Sequence, residues 1–108
     1  MHIVLVSIHV RAQTIDEFLA ATRDNLRESL QEKGVARFDV LRHAEDLNRF
    51  LLVEVYRQAQ DQVLHKETAH YKRWAAAVEP LLAEPRTRIV YQSAFPQESG
   101  WEQEADAI

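Results

Sequence analysis

Apolar residues alternate with a period of two at the start of the chain. In HIVLVSIHV, residues 2–10, Val4, Val6, Ile8 and Val10 fall on one face and Ile3, Leu5, Ser7 and His9 on the other. That is the spacing of a strand, and both of its faces are partly apolar. The period then lengthens. Over residues 14–34, Ile15, Phe18, Leu19, Thr22, Leu26 and Leu30 recur at helical spacing, with Asn25 and Ser29 at the edge of the stripe. Thr14 and Glu17 have the form of a capping box, and Gly34 reads as the stop. Alternation returns in ARFDVLRH, 36–43, and in RFLLVEVYR, 49–57, and the five residues between them predict a hairpin. In the second of these strands, Phe50, Leu52, Glu54 and Tyr56 share one face.

From 58 to 84 the pattern is helical again. A short helix around 59–66, a break near Thr68 and a second helix to about 83 fit it best, with Thr68 as the cap of the second piece. Tyr71, Trp74, Ala75, Val78 and Leu82 form the apolar stripe, and Pro85 ends it. RTRIVYQSAF, 86–95, is the last strand. The order β-α-β-β-α-β predicts a ferredoxin-like α+β domain over 1–95, a four-stranded antiparallel sheet with helices on one face. Residues 96–108 form an acidic tail, mobile unless Trp101 docks. The sheet face away from the helices is too apolar for open water, which points to a two-fold homodimer.

Composition narrows the function. The chain has 108 residues, 46% apolar and 28% charged, an ordinary soluble mixture in one domain. A formal charge of −4 argues against nucleic acid and anionic membranes as partners. There is no cysteine, hence no disulfide and no thiol nucleophile, which fits the cytoplasm. IVLVSI, 3–8, is too short to span a membrane. Two glycines leave no room for a phosphate-cradling glycine loop.

The densest chemistry lies in HKETAHYKRW, 65–74. On an unbroken helix His65 and His70 would point about 140° apart, and Lys66 stands where a zinc motif has its glutamate, so no metal is expected.

Taken with the strand order, RDNLRESLQEKGVARFDVLRH and RFLLVEVYRQAQDQVLHKETAHYKRW resemble the antibiotic biosynthesis monooxygenase superfamily, dimeric α+β barrels of ferredoxin-like subunits. The carriers are Asn25, Glu32 with Gly34, Phe38, the Phe50–Glu54–Tyr56 strand, and His65 with Thr68 and His70. The resemblance implies one of two activities. The first is cofactor-independent oxidation of a small electron-rich quinol by dioxygen, taken as the leading expectation. The alternative is proton-transfer isomerisation of a phosphorylated hydroxy-diketone. RFDVL and HKETAHYK look most like the isomerase branch, while Leu26 stands where that branch would have a histidine. A non-catalytic dimeric binding module is the third reading.

Both chemistries need a base, an oxyanion donor and a dry pocket. His65 and His70 are the candidate bases and Asn25 the candidate donor. Phe38, Tyr71 and Trp74 would wall the pocket, Tyr56 would hold a substrate oxygen, and Lys66 would meet a phosphate. Glu54, between apolar neighbours, is either part of the site or an ion pair with Arg37 or Arg42. His65 is expected to face a cavity between helices and sheet, with Asn25 approaching it.

Overall fold

The computed structural model describes residues 1–104. The strands are β1 (His2–His9), β2 (Val35–Arg42), β3 (Arg49–Tyr56) and β4 (Thr87–Gln92), and the helices are α1 (Ile15–Ser29), α2 (Ala59–Lys66) and α3 (Ala69–Val78). The sheet is antiparallel with strand order β2-β3-β1-β4, the expected ferredoxin-like α+β arrangement. Register follows the pleat. Val4, Val6 and Ile8 stand opposite Glu54, Leu52 and Phe50, so the faces read from the alternation are those that form. On the helix side, Val4, Val6, Ile8, Phe38, Phe50, Leu52 and Tyr56 pack with Phe18, Leu26, Trp74 and Val78 into one core.

Three local expectations change. Thr14 does not cap α1. A 3-10 turn at Ala12–Thr14 precedes the helix, and the Thr14 hydroxyl donates to the carbonyls of Arg11 (2.8 Å) and Leu81 (3.1 Å). Gly34 does not stop α1 either. The helix ends at Ser29, whose hydroxyl donates back to the Asn25 carbonyl at 2.6 Å, and the chain tightens through Gln31 and Glu32. Glycine at 34 is required by contact instead: a Cβ there would lie 2.2 Å from Asp61 Cγ. The last helix is shorter than read. Pro80 forces the chain after Val78 into a 3-10 turn, Glu79–Leu81.

The break near Thr68 forms as expected. Thr68 is extended, accepts from the Tyr71 amide at 3.2 Å and donates to the His65 carbonyl at 2.7 Å.

On the other face of the sheet, Ile3, Ala36 and Val55 form a second cluster with Met1, Leu5 and Val53. Trp101 docks there, so the tail is tied down at that point. Gln103 pairs its amide with the Ala36 carbonyl (3.0 Å) and accepts from the Phe38 amide (2.8 Å), along the free edge of β2. Residues 105–108 of the expected 96–108 tail lie outside the described residues. Beyond this strap Leu41, Ile89 and Tyr91 stay about half exposed. Among the described residues no helix is long and apolar enough to cross a membrane.

Candidate functional site

β4, the edge strand beside β1, is exposed along its length, and a gap lies between it and the residues of α2 and α3. The gap is a cavity of about 610 Å³. Val4, Val6 and Glu54 form its floor, Gln62 and Lys66 of α2 with Tyr71 and Trp74 of α3 form one wall, and Arg86 and Arg88 form the other.

Glu54 sits on the helix face of β3 by the alternation of the strand. The Tyr56 hydroxyl donates to its Oε1 at 2.6 Å. Burial pushes the Glu54 carboxyl up from the ordinary value, against the Tyr56 hydrogen bond and the nearby His65, Lys66 and Arg86. Burial and the Glu54 charge push the Tyr56 phenol upward in turn, so it stays protonated and remains a donor. The expected ion pair does not form. Arg37 lies on the opposite face of the sheet and pairs with Asp39 at 2.9 Å, and Arg42, far along β2, donates to the Leu47 carbonyl.

The opposite wall is basic. Arg86 lies over the Trp74 ring at 5.1 Å and donates to the Tyr71 hydroxyl at 3.3 Å. Among the described residues none of Lys66, Arg86 and Arg88 has an ion-pair partner. Burial and the neighbouring Arg88 and Arg86 hold Lys66 below the ordinary lysine value, although Glu54 pulls the other way. Glu79 and Glu84 also line the cavity, but Glu84 is engaged by His9 and Arg49, and the three cations opposite Glu54 suit a compact anion.

Behind this wall the helix break undoes the simple angular argument. It turns both histidines onto one carboxylate: His65 Nδ1 and His70 Nε2 each lie 2.7 Å from Glu32 Oε2. Burial alone would raise the Glu32 carboxyl, but the hydrogen bonds from His65 and His70 outweigh it and hold the group low. The donor atoms lie within 4.8 Å of one another, a composition suited to a divalent cation. The Glu32 oxygen already stands at hydrogen-bond distance from both nitrogens, so the three groups satisfy one another as they stand. His65 is 2% exposed, with the rings of Tyr56 and Tyr71 at 5.7 and 5.2 Å. The His70 ring lies 5.7 Å from that of His65.

The residues expected at the site therefore divide. Glu54, Lys66, Tyr71 and Trp74 line the cavity, and Tyr56, His65 and His70 stand directly behind it. Asn25 and Phe38 do not line it. Asn25 is buried on α1 beside Ser29, and Phe38 lines a separate depression between α1 and β2 with Leu19 and Arg23. Trp74 is mainly core, its indole N–H donating to the Thr22 hydroxyl at 3.0 Å. Arg86, Arg88, Gln62 and Glu32 are additions. The two arginines carried a signal, since alternation in RTR places both on one strand face. Glu32 lies in a turn, outside any periodic pattern, and its link to the histidines is purely tertiary.

Several known proteins are similar to this chain. An isomerase from Escherichia coli (strain K12), acting by name on (4S)-4-hydroxy-5-phosphonooxypentane-2,3-dione, is 38% identical over 96 residues, 89% of this chain and all of the relative. Its Salmonella typhimurium (strain LT2) counterpart matches equally. A solved structure from Nitrosomonas europaea, described as an antibiotic biosynthesis monooxygenase, is 39% identical with a TM-score of 0.85, covering 88% of this chain and all of that one. A Caulobacter crescentus structure at 18% identity and a TM-score of 0.83, covering 86% and 89%, shares the fold. The curated relatives overturn the leading expectation of quinol oxygenation, for they are isomerases. The site agrees with that correction: a neutral quinol gives three converging cations nothing to bind. Residues 1–77 match the antibiotic biosynthesis monooxygenase family, and with these relatives the chain belongs to it.

Proposed function

We propose that the protein is an isomerase of a short phosphorylated hydroxy-diketone, of the kind its curated relatives are named for. The observation that carries this reading is the buried Glu54 carboxylate at the floor of a cavity whose walls bring Lys66, Arg86 and Arg88, none with an ion-pair partner among the described residues, to the same space; Glu79 and Glu84 stand at its rim, Glu84 already paired with His9 and Arg49.

The substrate class defines the work. A carbon bearing a hydroxyl and one hydrogen sits beside a ketone, and its proton is acidified by that carbonyl. Removing the proton gives an enediolate; returning one to the neighbouring carbon exchanges the positions of carbonyl and hydroxyl. Atoms and electrons balance with proton movement alone. Glu54 is the base for the carbon-bound proton. Its raised pKa brings it closer to neutrality, where a carboxylate is a better proton acceptor. The protonated Tyr56 holds the carboxylate in place. Arg86, Arg88 and Lys66 take the phosphate, which anchors the substrate at one end. Tyr71 and Gln62 offer hydrogen bonds to the developing oxyanion, and Trp74 with Val4 and Val6 keeps that end of the cavity dry.

The test is isomerisation of (4S)-4-hydroxy-5-phosphonooxypentane-2,3-dione in deuterium oxide, followed by NMR. Deuterium should enter at carbon as the carbonyl moves, and the dephosphorylated analogue should turn over at least 100-fold more slowly. No deuterium incorporation, or equal rates for both compounds, would refute the reading.

A further inference from the structure

Isomerisation needs two proton movements. One is carbon to carbon, the part given to Glu54. The other is oxygen to oxygen, because the hydroxyl must lose a proton and the former carbonyl must gain one. A group that takes up a proton from one oxygen and returns it to the other near neutral pH suits the second, and imidazole is that group. His65 is the imidazole packed against Tyr56 and the cavity-lining Tyr71. Which of its nitrogens carries the hydrogen is then decisive.

We propose that Glu32 is the positioning residue of the site, fixing His65 as the Nδ1–H tautomer so that Nε2 keeps its lone pair for proton exchange. The inference rests on the isomerase reading for its chemistry and on the structure for its geometry. Glu32 Oε2 lies 2.7 Å from His65 Nδ1 and 2.7 Å from His70 Nε2. A carboxylate oxygen only accepts, so each of these nitrogens must bear a hydrogen. The hydrogen that Nδ1 carries is one Nε2 lacks when the ring is neutral.

The turn that carries Glu32 is held at several points. The Glu32 amide donates to the Ser29 carbonyl (3.0 Å), the Val35 amide donates to the Glu32 carbonyl (3.2 Å), and the Arg57 amide donates to the Gly34 carbonyl (2.9 Å). Gly34 lies flush against Asp61, which closes the first turn of α2 by a capping box with Gln58. The loop is thereby braced on the start of α2 while its carboxylate grips the end of α2 and the start of α3. Glu32 itself does not line the cavity and touches no substrate; it acts through His65.

The experiment reads the tautomer and the kinetics separately. Nitrogen-15 NMR of the full chain at alkaline pH should show His65 protonated on Nδ1, and Glu32→Ala should shift it toward the Nε2–H form. Glu32→Ala should lower kcat by roughly 10- to 100-fold with KM within about twofold, and Glu32→Asp should recover part of the rate. Should Glu32→Ala fail to fold, Glu32→Gln, which keeps volume and one acceptor oxygen, is read by the same measurements. An Nε2–H His65 in the unmodified protein, or a folded Glu32→Ala with unchanged kcat, overturns the proposal. Absence of turnover in the unmodified protein counts against the isomerase reading alone, since the tautomer is read without substrate.

Discussion

Replacing Lys66 by Met should make the protein more stable and worse at its task. Lys66 shares a cavity wall with Arg86 and Arg88, has no ion-pair partner among the described residues, and is held below its ordinary value of 10.5. Its charge is therefore a net cost to the folded chain at neutral pH. Methionine keeps most of the volume and removes the charge. Partly exposed charge interactions are worth about 0.2–1 kcal/mol, so a gain near 0.5 kcal/mol is expected, or about 2–4 °C in a domain of this size. The sign can be checked by pH. A lysine with a lowered folded pKa destabilises the fold while it is charged there, and that penalty fades as pH rises through its folded value and disappears above 10.5. The advantage of Lys66→Met should fade over the same window. Binding should move the other way. A lost charge-assisted hydrogen bond to phosphate is worth about 1.5–3 kcal/mol, a rise of roughly 10- to 150-fold in KM. Melting curves across pH beside initial rates give both quantities. A variant less stable at neutral pH, or one with unchanged KM, would refute the reasoning about the basic wall.

Glu54→Gln should reduce kcat by about 10²- to 10⁴-fold while the fold persists. Its pKa is raised on folding, so the native stability that goes with the proton is present below 4.5 and lost as pH rises through the folded value; the melting temperature of the variant should climb relative to the parent across that window. Trp74→Ala should cost about 3–5 kcal/mol, because it empties a core position and strands the Thr22 hydroxyl, and denaturant titration measures it. We expect a two-fold homodimer through the apolar sheet face, burying on the order of 2,000 Å²; sedimentation showing a stable monomer at micromolar concentration would contradict it.

The fold was legible because each element announces its period. Val4, Val6 and Ile8 fell on the core face of β1 as the alternation required, and Thr68 marked the helix break because an unpaired amide at a helix start calls for an acceptor. The ends of elements were harder. Gly34 looked like a stop, yet its small size serves a contact with Asp61, 27 positions along the chain and invisible to local pattern. The site was half legible. Glu54 stood out as a charge between apolar neighbours, Tyr71 and Trp74 as aromatics on the helical stripe, and Lys66 only through the family resemblance. Asn25 stood out as a polar residue in mid-helix, but it is buried beside Ser29. Glu32 gains its meaning only from tertiary contact with His65 and His70, and Arg86 and Arg88, on one face by alternation, gain theirs from the strand order that sets β4 beside β1. The leading expectation of oxygen chemistry was overturned by the isomerase relatives, and the arginines bear on the proposed phosphate.

The two tryptophans of the chain sit on opposite sides of one sheet, Trp74 in the cavity wall under Arg86 and Trp101 on the far face against Ile3 and Val55. That placement makes the molecule its own two-channel optical reporter. Emission from Trp74 should respond when a phosphorylated ligand draws Arg86 off the indole, and emission from Trp101 should respond when the C-terminal strap lifts from the sheet. With Trp101→Phe the first signal is read alone, and site occupancy is followed in real time without any attached dye.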